Sequence, residues 1–124
     1  MTLDTRSTLE RHWQAGNARD WVAFAALLSP ELVYEVPQTR ERVRGREAYV
    51  DFFRTWPGNW RADIQKILVE PGGGVTMIDF VVDGEHMTGI SFFELTDGVI
   101  SRITDYWPSP YEPPPRACAW IERY

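Results

Sequence analysis

The chain has 124 residues, of which 44% are apolar and 25% charged, so its length and composition fit one globular domain and not a disordered chain. Its formal net charge of −5 argues against nucleic-acid binding, because phosphate contacts need a basic surface. A local basic cluster is interrupted by Glu41 and Glu47, and we interpret it as a solvated, self-paired surface. Its members are Arg40, Arg42, Arg44 and Arg46.

Targeting signals and metal ligands are scarce in the sequence. No apolar run approaches the length of a membrane span, and the first residues, MTLDTRSTLER, carry charges where a signal peptide would be apolar. With a single cysteine, Cys118, no internal disulfide can form, and we expect a reducing, cytoplasmic location. His12 and His86 are the only histidines and show no metal-ligand spacing, so we expect neither a bound metal nor another cofactor.

Two helices and a short strand are predicted first along the chain. Apolar side chains recur at i, i+3, i+4 and i+7 within residues 5–16, which predicts a helix. A second helix is predicted from Trp21 to Leu28, capped by Asp20 and stopped by Ser29-Pro30. Residues 31–36, ELVYEV, are typical of a strand that closes at Pro37.

The next predicted elements are a brief extended segment, Thr39–Val43, and a third helix, REAYVDFFRTW, that follows Gly45. Pro57-Gly58 ends this helix. Four aromatic side chains fall at i, i+3, i+4 and i+7, so one helix face is strongly aromatic. They are Tyr49, Phe52, Phe53 and Trp56.

A meander of four strands is predicted from Trp60 onward, where the apolar period becomes strand-like. The strands are Trp60–Glu70, Val75–Val82, Glu85–Leu95 and Val99–Trp107. Their connections are a Pro-Gly-Gly-Gly run and two Asp-Gly pairs, and Asp-Gly is typical of tight hairpins. We therefore predict an α+β fold, in which a curved antiparallel sheet packs on three helices of the N-terminal half and leaves an aromatic-lined pocket.

The last segment, residues 108–124, reads PSPYEPPPRACAWIERY and contains five of the nine prolines. Such a segment cannot join a sheet and is expected to be extended. We predict a tail that packs on its own domain through Tyr111 and Trp120. The alternative is a proline-rich recognition ligand.

Strand alternation places three polar side chains on the predicted concave face: Tyr34, Ser91 and Asp105. Asp105 lies between two apolar side chains on a strand face that looks buried. Burial would raise the pKa of this carboxyl and make it a plausible proton shuttle. The alternative is a rim carboxylate on the other face, or one paired with Arg102 or Arg116.

His12 and Tyr34 are the other candidate catalytic residues, because both are predicted to point inward. They would orient Asp105 or stabilise an enolate oxygen. Alternatively, each is a core residue that hydrogen-bonds locally. The predicted ligand-binding walls are Trp13, Trp56, Trp60, Ser91, Phe93 and Trp107.

Two stretches of the chain carry a resemblance to a known superfamily. They are LLSPELVYEVPQTRERVRGREAYVDFF and FFELTDGVISRITDYW. With the order of the elements, they resemble the nuclear-transport-factor-2-like superfamily and its SnoaL-like polyketide cyclase branch. The resemblance extends over residues 5–107.

The resemblance implies that residues 1–107 form one SnoaL-like domain, a cone-shaped α+β barrel with a pocket between sheet and helices, and that the protein is a homodimer. In the SnoaL-like cyclases a carboxylate on the final strand is the general acid/base of an intramolecular aldol closure. Asp105 matches that position. Those cyclases also place a histidine on the preceding strand, where this chain has Ser91.

Two other branches of the superfamily match less well. Ketosteroid isomerases place their basic aspartate directly before the proline of the first strand, where this chain has Val36. Their oxyanion tyrosine on the first helix corresponds to His12, and their second acidic donor to Ser91. Epoxide hydrolases of this fold use an Asp-Arg-Asp set in the cavity, whereas we identify one inward aspartate and no inward arginine.

The main hypothesis is a SnoaL-like small-molecule pocket protein, a cofactor-free cyclase or isomerase that uses Asp105 as general acid/base on an apolar or aromatic ketone. The alternative is a non-catalytic small-ligand-binding protein of the same fold. A third hypothesis is a partner surface at Met77, Asp79 and Val81 on the outer sheet face, although a homodimer explains that face more simply. The expected partners are a small apolar or aromatic molecule and a second copy, with no nucleic acid and no membrane.

Overall fold

The structure is a computed structural model that describes residues 3–124. Helix α1 begins after Asp4, whose carboxylate accepts a hydrogen bond of 2.7 Å from the Ser7 amide, and α2 begins after Asp20, which caps the Ala23 amide at 3.1 Å. In chain order the elements are α1 (Thr5–Ala18), α2 (Trp21–Ala26), β1 (Leu28–Val36), β2 (Glu41–Arg44), α3 (Arg46–Arg54), β3 (Trp60–Glu70), β4 (Gly73–Val82), β5 (Glu85–Thr96) and β6 (Val99–Tyr106).

The six strands form one curved sheet in the order β2-β1-β6-β5-β4-β3. Strands β3 to β6 make the predicted antiparallel meander, and both residues of each Asp-Gly turn have positive φ, as tight hairpins require. Strand β1 pairs in parallel with β6, so the sheet is mixed at this pair and not antiparallel throughout. Because β2 and β3 lie at opposite edges, the sheet curves without closing into a complete barrel.

The helices pack against this sheet and bury an aromatic core. The side chain of Asn17 fixes α1 to β3, since it hydrogen-bonds with the Ala62 amide at 2.8 Å and the Ala62 carbonyl at 2.7 Å. Buried rings from all three helices meet a ring of β4 in one cluster: Trp13, Phe24, Tyr49, Phe53 and Phe80. The predicted α+β fold is confirmed.

Helix α2 ends at Ala26 and not at Leu28, because Leu28 already pairs with Ile100 of β6 and starts β1. Pro30 therefore lies inside β1, in the stretch where the register with β6 shifts, and a bulge is where a strand tolerates proline. Tertiary pairing thus overrides the local helix stop that Ser29-Pro30 predicts.

Other element ends differ from the prediction by one to three residues. Helix α3 ends at Arg54, two residues before Trp56, because the residue before Pro57 disfavours the helical conformation. Strand β4 begins at Gly73, and a Cβ atom there would lie 2.6 Å from the Phe93 carbonyl oxygen, so this pairing needs glycine. The remaining shifts concern the end of α1 at Ala18 and not at residue 16, the bounds of β2, which is Glu41–Arg44 and not Thr39–Val43, the end of β5 at Thr96, and the end of β6 at Tyr106.

The C-terminal tail, residues 108–124, contains no helix or strand, as predicted. Its expected packing on the domain is not observed, because Tyr111 is 83% exposed and Trp120 is 91% exposed. Glu112 and Arg123 pair within the tail at 3.0 Å.

None of the helices among residues 3–124 is long and apolar enough to cross a membrane.

Candidate functional site

Asp105 of β6 points into the core and is 1% exposed. Strand β6 has Ile103 and Asp105 on its inner face, with Ser91 of β5 directly opposite Asp105 in the register. The parallel strand β1 brings Tyr34 alongside, and the Tyr34 hydroxyl donates a hydrogen bond of 2.5 Å to Asp105 Oδ2. The rim alternative for Asp105 is therefore wrong.

The second alternative, an ion pair between Asp105 and a neighbouring arginine, is also wrong. Arg102 lies on the opposite face of β6 and pairs with Glu35 and, at 3.8 Å, with Glu94. Arg116 lies in the exposed tail and hydrogen-bonds with the Pro114 carbonyl. No cation among the ion pairs of residues 3–124 neutralises Asp105, so its charge faces only neutral donors.

Burial raises the pKa of the Asp105 carboxyl to about 6, and the hydroxyls of Ser91 and Tyr34 oppose part of this rise. Burial and the adjacent Asp105 also raise the pKa of Tyr34 far above its usual value. Tyr34 therefore stays protonated and remains a donor. Asp105 is ionised above pH 6 while it remains a stronger base than an exposed aspartate.

His12 is fully buried on α1, but it contacts Tyr49 of α3 and not Asp105. Its Nε2 atom forms a hydrogen bond of 2.7 Å with the Tyr49 hydroxyl. Burial lowers the pKa of His12 to about 3, so the imidazole is neutral at physiological pH. The Tyr49 ring lies 4.9 Å from the Tyr34 ring, and burial followed by the nearby Asp105 raises the pKa of Tyr49 well above its usual value.

These side chains place two pairs of polar groups side by side inside an aromatic shell. One pair is His12 and Tyr49, and the other is Tyr34 and Asp105. Within residues 3–124, two buried side-chain polar atoms have no hydrogen-bond partner, His12 Nδ1 and Asp105 Oδ1. Because buried polar atoms are nearly always satisfied, such atoms merit a functional explanation. The same residues contain no cluster of three His, Cys, Asp or Glu side chains that could hold a metal.

The predicted ligand-binding tryptophans divide into two groups. Trp13 and Trp60 are core residues whose indole N–H groups are satisfied, by Thr76 at 3.0 Å and by the Phe53 carbonyl at 3.1 Å. Trp56 and Trp107 are half-buried, with ring centroids 5.8 Å apart. The second group is therefore the one that is partly exposed.

Phe52 joins these two tryptophans beside the Tyr34–Asp105 pair. Its half-buried ring lies 5.1 Å from Tyr34 and 5.5 Å from Trp56. Gln38 holds the backbone of Trp107 from the outside, since its side chain accepts from the Trp107 amide and donates to the Trp107 carbonyl. Phe52, Trp56 and Trp107 thus form an aromatic cover next to the buried carboxylate.

Five surface clefts of residues 3–124 have volumes of 390 to 580 Å³, and Asp105, Tyr34 and His12 line none of them. Phe93, which lies 5.1 Å from the His12 ring, lines a cleft at the far ends of β3 to β5. Trp60 lines a different cleft, near Arg19. The carboxylate is therefore enclosed.

Three residues of this region were missed by the sequence analysis as site residues: Phe52, Tyr49 and Gln38. Phe52 was assigned only to the aromatic face of α3. Tyr49 was assigned only to the aromatic face of α3, although a tyrosine on a buried face needs a hydrogen-bond partner, and that requirement is a usable signal. Gln38 had no signal, because its contact with Trp107 spans 69 positions and depends on the fold.

Comparison with known proteins places this geometry in context. Residues 9–103 match the SnoaL-like domain family. A comparison with curated proteins finds no match. A crystal structure from Kribbella flavida, of a protein that carries the provisional name ketosteroid isomerase, is 36% identical with a TM-score of 0.91, and the alignment covers 99% of this chain and 91% of that chain. This alignment includes the C-terminal tail.

Two more distant structures share the fold. A Sinorhizobium meliloti protein provisionally named a polyketide cyclase is 17% identical with a TM-score of 0.71, over 80% of this chain and 93% of that chain. An M. tuberculosis epoxide hydrolase is 22% identical with a TM-score of 0.71, over 86% of this chain and 84% of that chain. Because the three names differ in chemistry, the fold alone does not determine the reaction.

Proposed function

Because the chain belongs to the SnoaL-like domain family, we propose that it is a cofactor-free cyclase or isomerase in which Asp105 is the general acid/base for an apolar or aromatic ketone. One observation carries this proposal. Asp105 is a buried carboxylate with one oxygen held by Tyr34 and the other, Oδ1, without a partner among residues 3–124. That oxygen is free to exchange a proton with a substrate carbon.

The electrostatics of the site support this role. A pKa of about 6 keeps Asp105 ionised at neutral pH and makes it basic enough to accept a proton from a carbon next to a carbonyl. Tyr34 orients the carboxylate and does not compete for the role of base, because its own pKa is raised. The absence of a paired cation leaves the basicity of Asp105 intact.

The proposed reaction is a proton transfer. Asp105 Oδ1 takes a proton from the carbon next to the ketone, and the electron pair of the C–H bond moves to the carbonyl oxygen to form an enolate. In a cyclisation, the enolate carbon attacks a second carbonyl of the same molecule, and the alkoxide that forms takes the proton back from Asp105. In an isomerisation, the enolate recovers the proton from Asp105 at another carbon. We assign stabilisation of the enolate oxygen to the hydroxyl of Tyr49, which hydrogen-bonds with neutral His12 and whose ring lies 4.9 Å from the Tyr34 ring.

Substrate entry requires the aromatic cover to open. Phe52, Trp56 and Trp107 are half-buried, and Trp56 contacts each of the other two. Trp13 and Trp60 are fixed in the core by indole hydrogen bonds. We therefore assign substrate contact to the cover and to Ser91 and Phe93, which are buried on the inner face of β5. Flat apolar rings suit a flat apolar ligand.

The test measures exchange of the protons next to the carbonyl, in deuterated water, over a panel of aryl and polycyclic ketones. Asp105→Asn keeps the acceptor for Tyr34 but cannot take a proton, so exchange should fall by about 10²- to 10⁴-fold while ketone binding persists. Asp79→Asn is the matched control, because Asp79 lies on the outer face beside His86. Exchange that survives in the Asp105 variant, or no exchange by the wild-type protein across the panel, would contradict the catalytic proposal.

A second candidate function, non-catalytic binding of a small apolar molecule, is favoured by the enclosure of Asp105 and by the lack of a second ionised group beside it. In that case Asp105 accepts one hydrogen bond from the ligand. Binding without exchange in the experiment above, unchanged in Asp105→Asn, is the result expected for this function.

We also propose that the protein is a homodimer that associates through the outer face of the sheet. A row of apolar side chains crosses that face, and Phe92 packs on Tyr106 with ring centroids 5.8 Å apart. Exposed apolar patches of this kind support association, and a two-fold pair would bury the patch on both copies. Its members are Met77, Ile90, Phe92 and Tyr106.

A further inference from the structure

The large apolar side chains of the C-terminal tail are not covered by its own domain. Trp120 is 91% exposed and Ile121 is 45% exposed, and Tyr111 and Tyr124 are exposed as well. Large apolar side chains in water are costly when they are clustered, and tails without support are normally disordered. Such a tail needs a surface that the single chain does not provide.

The Kribbella flavida crystal structure also bears on the tail. Its alignment with this chain takes in the tail at a TM-score of 0.91. The tail is thus part of the aligned region of two proteins that are 36% identical. Contacts within the protomer do not explain this alignment, because the tail's aromatic side chains are exposed.

The same chain carries an apolar surface that also lacks cover. On the outer face, Phe92 is 46% exposed and Leu68 is 59% exposed. Beside them a cleft of 390 Å³ is lined by Leu68, Val69, Val75 and Phe92, with the carboxylates of Glu70 and Glu94 at its rim. The tail is joined through Trp107 to Tyr106, which lies on this face.

The tail and the cleft also carry groups of opposite charge, Arg116 and Glu70. Arg116 of the tail has no carboxylate partner within residues 3–124, and Glu70 of the cleft rim has no cation. Glu112 and Arg123 close the tail into a loop that presents Trp120 and Ile121 outward. The loop is thus apolar at its centre, and among residues 3–124 Arg116 is its unpaired cation and Glu122 its unpaired carboxylate. The cleft is apolar within and acidic at its rim.

We propose that the tail is an exchanged arm, in which residues 108–124 of one protomer pack on the outer sheet face of a second copy, with Trp120 in the cleft at Leu68 and Phe92. The arrangement is reciprocal, so each copy supplies one arm and one cleft. The proposal rests on the homodimer proposed above, and it adds the segment that joins the two subunits.

Photo-crosslinking tests where the arm lies. Trp120 is replaced by p-benzoylphenylalanine in the full chain, and ¹⁴N- and ¹⁵N-labelled protein are mixed and allowed to exchange subunits before irradiation. We expect tail peptides of one isotope joined to β3–β5 peptides of the other. Products within one isotope only, products with other surfaces, or a yield no higher than with the same group at Val22, which is 84% exposed on α2, would overturn the proposal.

Sedimentation equilibrium separates the arm from the dimer. Removing two central contact side chains with Trp120→Ala and Ile121→Ala should raise the dimer dissociation constant about tenfold or more, since buried aromatic anchors dominate interfaces. Val22→Ala is the matched control and should leave the constant unchanged. An unchanged constant in the tail variant contradicts the arm alone, whereas a wild-type protein that is monomeric at all concentrations contradicts the dimer and the arm together.

Discussion

At the scale of single residues, Asp105 couples the proposed chemistry to stability. Its folded-state pKa of about 6 lies above the value of 3.8 for a free aspartate. The protonated form is therefore favoured by folding, and the stability that it contributes is present below pH 3.8 and lost as pH rises through 6. Ionised Asp105 costs the fold on the order of 3 kcal/mol at pH 8, where the carboxylate is fully charged.

Asp105→Asn removes this cost, because the amide does not ionise. Relative to wild type, the free energy of unfolding of the variant should rise by about 2 kcal/mol between pH 4.5 and pH 8, whatever constant offset the amide introduces. Urea unfolding at the two pH values measures the change. Asp79→Asn, on the outer face, is the control, and an equal pH-dependent gain in that variant would refute the attribution to burial.

The sequence predicts the inward orientation of Asp105 and Tyr34 because strand side chains alternate with a period of two residues. It does not predict their direct contact, which depends on parallel pairing of β1 with β6 between residues 71 positions apart. The contact of His12 with Tyr49 depends in the same way on how α1 docks against α3. Alternation gives the face of a residue, whereas the partner comes from tertiary structure.

At the scale of elements, the short helix α2 depends on its first turn. It has six residues and one fully buried side chain, Phe24, and Asp20 Oδ1 accepts from the Ala23 amide at 3.1 Å. A helix of this length has little intrinsic stability, so its cap contributes a large share. Asp20→Ala should destabilise the protein by about 1 kcal/mol in chemical denaturation.

Asp20→Asn is the matched variant, because asparagine caps as well as aspartate does. It should keep nearly all of the stability that Asp20→Ala loses. If both variants lose the same amount, the carboxylate has a role other than capping, such as its charge, and the assignment fails.

The existence and type of most elements were predicted correctly from neighbouring residues, whereas several of their ends were not. Strand β3 matches its predicted range, and both Asp-Gly turns adopt the required positive φ, since these depend on nearby residues. The predicted end of α2 and the predicted start of β1 were wrong because Leu28 pairs with Ile100 of β6, a strand far along the chain. The predicted packing of the tail was wrong because the sequence shows that Trp120 is apolar but does not show which surface covers it.

At the scale of the whole molecule, two buried groups change the free energy of unfolding in opposite directions as the pH changes. His12 has a folded-state pKa of about 3 against 6.5 for free histidine, so its contribution is present above pH 6.5 and lost as pH falls through 3. Asp105 changes in the other direction between pH 6 and 3.8. From pH 8 to 4.5 the loss from His12 nearly cancels the gain from Asp105.

His12→Gln should break this balance, because glutamine can still hydrogen-bond with Tyr49 but does not ionise in this range. Relative to wild type, its free energy of unfolding should increase by roughly 3 kcal/mol as pH falls from 8 to 4.5, since only wild type must bury a histidine that protonates when unfolded. Urea titrations across that interval measure the difference. His86→Gln removes the exposed histidine as a control, and a similar gain there would show that burial of His12 does not govern the acid stability of this protein.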